Sequence, residues 1–162
     1  MLRHLAMSVL PLVLLACGPN EQDKAARDYV SAMTPLLEDN TKLSRSFLEL
    51  AAQIKKNRVS PQDVSDKLQG EMIPAARALH EGAGAIQPTT APLDGIHMGL
   101  VRAWANRLRA YESMHTHWVE GDLTGFEGTA GDHKTVFKAE ARYFDSVNEV
   151  LAEHQLSLTQ YP

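Results

Sequence analysis

From residue 21 to residue 57, apolar side chains recur in alternating steps of three and four. The seam comprises Tyr29, Met33, Leu36, Asn40, Leu43, Phe47, Leu50 and Ile54. This spacing predicts one helix, roughly 50 Å long, that packs along its length against other helices, with a kink at Pro35. Asn40 is the one polar residue on the seam. We interpret it as a residue whose side chain hydrogen-bonds to a partner and fixes helix register.

A second helix is predicted over residues 61–84. Ser60 and Pro61, followed by Asp63, form a typical helix start, with a capping serine, a proline at the first position and an acid in the first turn. Gly70 and Pro74 weaken the pattern and predict a bend. The apolar stripe is Val64, Leu68, Met72, Ala75, Leu79, Ala83 and Ile86.

Two further stripes predict helices over 91–120 and 122–155. The first comprises Leu93, His97, Leu100, Trp104, Leu108, Tyr111, His115 and Trp118. The second comprises Leu123, Phe126, Ala130, His133, Phe137, Glu140, Phe144, Val147, Leu151 and His154. Because Gly125, Gly128 and Gly131 each disfavour helix by about 1 kcal/mol, the first turns of the last helix are expected to form poorly.

The connections between these helices are short, which forces neighbours to run antiparallel. The fold class predicted is therefore all-α, an antiparallel up-down-up-down four-helix bundle without β-structure, following a cleaved lipoprotein signal peptide. The residues expected in its core are Phe47, Leu50, Leu68, Leu79, Leu100, Trp104, Leu108, Phe137, Phe144, Val147 and Leu151.

The N-terminus has the order of a secretory signal peptide over residues 1–16. A positive start with Arg3 is followed by an apolar run from Leu5 to Leu15, which is too short to span a bilayer. The segment Leu14-Leu15-Ala16-Cys17 resembles a bacterial lipobox, which implies that the thiol of Cys17 is acylated and that the chain is cut just before it.

Cys17 is the only cysteine, and an unpaired cysteine is unusual in an exported protein unless it is modified. Lipid on Cys17 would make a durable membrane anchor. Residues 17–20 are then a short lipidated tether, and residues 21–162 form one bundle domain. Gly18 stands where lipoproteins retained in the inner membrane carry aspartate, so the resemblance favours the outer membrane, facing the periplasm, in a Gram-negative cell.

Composition and motifs restrict the function. Cleavage before Cys17 leaves 15 basic against 20 acidic side chains, so nucleic acid and anionic lipid headgroups are poor partners. No stretch fits a phosphate-binding loop, a zinc-protease helix, a nucleophile elbow or a dinucleotide fingerprint. We therefore predict no enzyme activity, no catalytic residue and no cofactor.

Histidines offer the main alternative, because helical bundles build metal sites from facing side chains. Treating the helices as straight antiparallel rods places His80 level with His97. The same count brings Glu38 and Asp145 to that height, a set that would suit zinc, iron or manganese. Ordinary hydrogen-bonded histidines are the commoner case, and the prediction is that His80 and His97 miss the geometry of a metal site.

A second cluster, Met114-His115-Thr116-His117-Trp118, has the soft ligand types of copper carriers. On a helix, His115 and Trp118 share one stripe while His117 points away, so the ligands do not converge. Met114 and Trp118 are therefore interpreted as packing residues.

Two functions follow as expectations. The first is a non-catalytic binding or scaffolding lipoprotein of the cell envelope, held by its lipid and acting on an envelope protein partner. In export and overall shape, though through no shared motif, the chain resembles the small helical pilotin lipoproteins that escort secretin subunits to the outer membrane. The second is a metal-binding envelope lipoprotein that uses His80 and His97.

Overall fold

The computed structural model describes residues 19–159, and the predicted signal peptide and Cys17 lie outside this range. The described part consists of helices joined by short connections and contains no strand, which confirms the all-α class. No helix within 19–159 is both long enough and apolar enough to cross a bilayer. The helices are α1 (Pro19–Lys55), α2 (Pro61–Lys67), α3 (Ile73–Ala85), α4 (Ala91–Glu120) and α5 (Leu123–Ala152).

A π-helical turn, Leu68–Met72, joins α2 to α3 without a break, so residues 19–159 form four rods. The π turn is closed by a hydrogen bond from the Ile73 N–H to the Leu68 carbonyl, five residues back. It lies where Gly70 and Pro74 predicted a bend, and Pro74 has no N–H with which to continue the regular α-helical ladder. The sequence located this irregularity and missed its type.

The π turn also changes which alanine of α3 faces the interior. A π turn accommodates one more residue than an α-helical turn. Ala76 is buried and Ala75 is exposed, so the assignment of Ala75 to the apolar stripe was wrong by one residue.

Capping residues account for where α2 and α5 begin. Ser60 and Asp63 form a reciprocal capping box, as the sequence predicted for Ser60. Gly121 ends α4 in the left-handed conformation, with φ of 73°, and Asp122 then caps α5 by accepting the Gly125 N–H at 2.9 Å. Helix α5 is formed from Leu123 onward despite its three early glycines, contrary to expectation. All predicted helix ends agree with the structure to within three residues.

Most of the predicted core is confirmed. The buried members are Phe47, Leu50, Leu68, Leu79, Leu100, Trp104, Phe144, Val147 and Leu151. Leu108 and Phe137 are only half-buried, so their assignment to the core was wrong. Arg107 and Val136, each one residue earlier in the chain, occupy the interior positions instead.

The most extensive helix contact is between α4 and α5. Along this seam Trp104 contacts Glu140, Tyr111 contacts His133, and Trp118 packs on Phe126. The seam thus combines apolar packing with hydrogen bonds between buried polar side chains.

Candidate functional site

An ion pair lies at the centre of the interior. Arg107 of α4 and Glu140 of α5 are almost completely buried, and the Arg107 Nη2 donates to Glu140 Oε1 over 2.6 Å. The indole Nε1 of Trp104 donates to the same oxygen over 2.7 Å. Two donors from α4 therefore converge on one carboxylate oxygen of α5, a charge-assisted arrangement that is stronger than a hydrogen bond between neutral groups.

The rest of the Arg107 guanidinium is held by α1 and by an aromatic ring. Its Nη1 donates to Asn40 Oδ1 and lies 3.5 Å from Ser44 Oγ. The guanidinium carbon lies 5.6 Å from the centre of the Phe137 ring, a distance at which a cation interacts with the ring face. Asn40 therefore has the partner that its place on the α1 seam predicted. One guanidinium nitrogen, Nε, has no hydrogen-bond partner among the described residues.

A second buried polar group, His133 of α5, is enclosed by aromatic rings. Its ring stacks on Phe47 with centres 4.2 Å apart, and its Nε2 lies 2.9 Å from the hydroxyl of Tyr111. Burial, together with the nearby positive charge of Arg107, lowers the pKa of His133 to about 3. Burial likewise raises the pKa of Tyr111 well above its usual range. Both groups are therefore neutral at physiological pH.

A third set of buried polar side chains joins α1, α4 and α5, nearer the start of α1. The Tyr29 hydroxyl lies 3.1 Å from His97 Nδ1 and 2.9 Å from the hydroxyl of Tyr143. The other His97 nitrogen, Nε2, lies 2.9 Å from the carbonyl oxygen of Ala83 at the end of α3. Burial raises the pKa of Tyr29 to about 12 and that of Tyr143 further still. This group acts as a hydrogen-bonded support between helices.

The histidines proposed for a metal site do not form one with other described side chains. Both ring nitrogens of His97 are engaged with Tyr29 and Ala83. His80 is half-buried and its Nδ1 has no hydrogen-bond partner within the described range, whereas Glu38 and Asp145 are exposed. Between residues 19 and 159, no three histidine, cysteine or acidic side chains cluster closely enough to hold a metal ion.

The residues proposed as soft copper ligands separate in the same way. Met114 is fully buried, and the Trp118 indole donates to the Pro61 carbonyl over 2.8 Å. His115 Nε2 lies 3.1 Å from Ser65 Oγ on α2, whereas His117 Nδ1 lies 2.9 Å from Asp122 Oδ2 beyond the end of α4. The two histidines thus contact different elements, as their helical spacing predicted.

The outer surface carries two notable grooves. The first, of about 300 Å³, runs between α1 and α3 beside the π turn, with an apolar lining that includes Leu36, Met72 and Leu79. Its polar lining mixes both charges, with Asp39 and Lys42 forming an ion pair. Glu71 also lines this groove and pairs with Lys67, so the groove offers an apolar surface with a small excess of acidic side chains.

The second groove, of about 650 Å³, runs along the α4/α5 seam, and we call it the arginine groove. It is lined by Arg102 and Arg109 of α4 and by Arg142 of α5, and no described acidic side chain lines it. Arg109 donates to the neutral side chain of Asn106, and Arg102 and Arg142 form no ion pair with any described residue. A positively charged channel thus lies on a protein whose net charge is negative.

Sequence reasoning missed both Arg107 and the arginine groove. The missed signal for Arg107 is Glu140 on the apolar stripe of α5, because a buried carboxylate requires a cation nearby. The missed signal for the groove is the spacing of Arg102 and Arg109, seven residues apart, which places both on one face of α4. Net charge summed over the whole chain concealed this local concentration.

Comparisons of this chain with protein-family models, with curated proteins and with solved structures found no match. The function must therefore be inferred from its own residues. Two features bear on it: an interior whose charged groups pair with one another, and an arginine groove open to solvent.

Proposed function

We propose that this chain is a lipoprotein of the cell envelope, anchored to a membrane through lipid on Cys17, whose helical bundle binds or positions another envelope protein without catalysing a reaction. The observation that carries the non-catalytic part is the pairing of the buried charged groups with one another. Arg107, Glu140 and the neutral His133 contact other interior side chains, and none of them lines either surface groove.

The bundle is proposed to have up-down-up-down topology. Asp23 of α1 contacts His154, two residues beyond the end of α5, and Tyr29 of α1 contacts Tyr143 of α5, so residue numbers rise along one helix as they fall along the other. The α4/α5 contacts, Trp104 with Glu140 and Tyr111 with His133, likewise run in opposite order along the two helices. This topology places the start of α1 at one end of the bundle and the α4/α5 turn at the other.

The anchor supports a particular placement of the bundle. Helix α1 is described from Pro19, two positions after Cys17 in the sequence, so a lipid on Cys17 would hold the bundle close to the membrane. The 37 residues of α1 would then extend about 55 Å from this point. A rigid support of this kind is suited to holding a partner at the membrane.

Fractionation of cells tests the anchor. Cys17→Ser should release the protein from the membrane fraction, because it removes the acylated thiol. Gly18→Asp is the matched control: the resemblance to lipoproteins predicts that it stays membrane-bound, and moves to the inner membrane in a Gram-negative cell. Unchanged membrane association of Cys17→Ser would disprove the anchor.

A further inference from the structure

We infer that the arginine groove is a docking site for an acidic α-helix of a protein partner. This inference rests on the proposed function and names the class of partner that the bundle binds. It is carried by three properties of the groove, namely its unpaired charges, its length and the small residues that line its floor.

The charges of the groove lack a counterpart within the described part of the chain. Arg102 and Arg142 are exposed and have no ion-pair partner there, although the protein has an excess of acidic side chains. Since Trp104 contacts Glu140, the antiparallel seam places Arg102 and Arg142 at the same level, on opposite sides of the groove. Two like charges that face one channel repel each other, and an anion bound between them would remove that repulsion.

The length of the groove fits a helix. A smaller groove of about 230 Å³, lined by Gly95 and Ser146, shares Gly99 and Arg142 with the arginine groove and continues it along α4. The combined channel extends from Gly95 to Ser113, which is about 27 Å along α4. A helix of about 18 residues has the same length, whereas a single phosphate or lipid headgroup would fill only a part of the channel.

The floor of the groove allows close approach of another backbone. It is lined by small residues from both helices, among them Gly99, Ala103, Ala110 and Ala139. Small side chains permit helices to pack at short distance, and hydroxyl groups of Thr129 and Thr135 supply polar contacts at the far end. The groove can therefore accept an α-helix that carries acidic side chains along one edge.

The spacing of the arginines specifies the charge pattern of the partner. Arg102 and Arg109 are seven residues apart on α4, or about 10 Å along its axis. Acidic residues seven positions apart on a partner helix have the same separation and lie on one face. Bidentate guanidinium–carboxylate pairs at both points would set the register of the docked helix.

A binding experiment with the full lipidated chain in detergent micelles tests this inference. The probe is a fluorescent, alanine-based helical peptide of 18 residues with two glutamates seven positions apart, and its control carries glutamines at those positions. Anisotropy should show binding of the acidic peptide that weakens as salt is raised, since exposed charges are screened beyond about 8 Å at physiological ionic strength. The glutamine peptide should bind at least about tenfold more weakly.

Two double variants locate the site. Arg102→Gln with Arg142→Gln should weaken binding of the acidic peptide by about tenfold. Arg27→Gln with Arg58→Gln removes the same charge from exposed positions of α1 and the following loop, and should change binding less than twofold. Equal losses in both double variants would show that net charge, and not the groove, attracts the peptide, and would overturn the inference.

Two further outcomes would also overturn it. One is binding of phosphatidylglycerol vesicles that depends on Arg102 and Arg142 while the acidic peptide does not bind, which would make the groove a lipid headgroup site. The other comes from photo-cross-linking in membranes, with the reactive group at Thr135 in the arginine groove or at Ser46 in the α1/α3 groove. Protein cross-links from Ser46 alone, or from neither position, would refute the groove, whereas the anchor of the proposed function is tested separately by fractionation of Cys17→Ser.

Discussion

Arg107 on α4 and Glu140 on α5 form an ion pair 2.6 Å long inside the bundle, with about 1% and 4% of their side chains exposed. Removing two charges from water costs several kcal/mol each, and only their mutual attraction and hydrogen bonds compensate. Each side chain therefore depends on the other, and the pair fixes the register of α4 against α5.

Arg107→Met should destabilise the protein by about 3 to 5 kcal/mol, because it leaves the Glu140 carboxylate buried without its cation. Urea denaturation followed by circular dichroism measures the effect. Lys42→Met is the control, since it breaks an exposed ion pair with Asp39 and should leave the free energy of unfolding nearly unchanged.

A double variant separates the lost pair from lost packing. Arg107→Met combined with Glu140→Gln removes both charges and keeps an acceptor for the Trp104 indole, so it should be more stable than Arg107→Met alone. A double variant less stable than the single one would contradict the idea that an unpaired charge causes the loss.

His133 should make the protein sensitive to mild acid. Its pKa is about 3 in the folded protein and near 6.5 in an unfolded chain, so the unfolded state binds a proton first as the pH falls. The stabilising contribution is complete above about pH 6.5 and is lost as the pH falls towards 3. Between pH 7 and pH 5 the free energy of unfolding should decrease by about 2 kcal/mol from this residue.

His133→Gln isolates this effect, because glutamine does not titrate and its amide can still bond to the Tyr111 hydroxyl. Urea denaturation at pH 7 and pH 5 should show a smaller decrease for His133→Gln than for the natural chain. Equal decreases in the two proteins would mean that other groups cause the acid sensitivity.

Two glycines of α5 should respond oppositely to alanine. At Gly125, an added Cβ would overlap the Asp122 carboxylate and the His117 ring, so Gly125→Ala should lower the thermal midpoint by disturbing the cap of α5. At Gly128 a Cβ meets open space, and Gly128→Ala should stabilise the helix by about 0.5 to 1 kcal/mol. Calorimetry of the two variants checks the opposite signs.

Phe144→Ala should cost about 3 to 5 kcal/mol, since the Phe144 ring lies in the core with 7% of its surface exposed and contacts Tyr143. Leu48→Ala, at a position with 58% exposure, is the control and should change the free energy of unfolding by less than about 0.5 kcal/mol. Chemical denaturation of both variants gives the comparison.

The helices could be predicted from the sequence because their signals are local. Steps of three and four residues defined all four rods, and Ser60 marked the start of the second. The errors arose where two neighbouring residues both fitted the spacing, as at Leu108 and Arg107. Helical period alone favours the apolar choice, and only the carboxylate of Glu140 on another helix makes the arginine the interior residue.

The candidate site was less accessible to sequence reasoning, because it depends on distances between helices. His97 was placed correctly on the interior stripe of α4, but its partners Tyr29 and Ala83 lie on α1 and α3. The arginine groove combines residues of α4 with Arg142 of α5, about 40 positions later in the chain. Their convergence follows from the seam register, which straight rods give only to about one turn.

The π turn at Leu68–Met72 means that the second rod is one residue longer than its path requires. Val64 and Ala76 both face the core across an interval of twelve residues, where a regular α-helix would bring back a residue after eleven. Removing one residue from the turn, such as the exposed Gly70, would restore the interval of eleven residues between these two positions, although Pro74 would still leave one hydrogen bond of the ladder unmade. The extra residue is therefore accommodated within one turn, and the core-facing sides of α2 and α3 remain in line on either side of it.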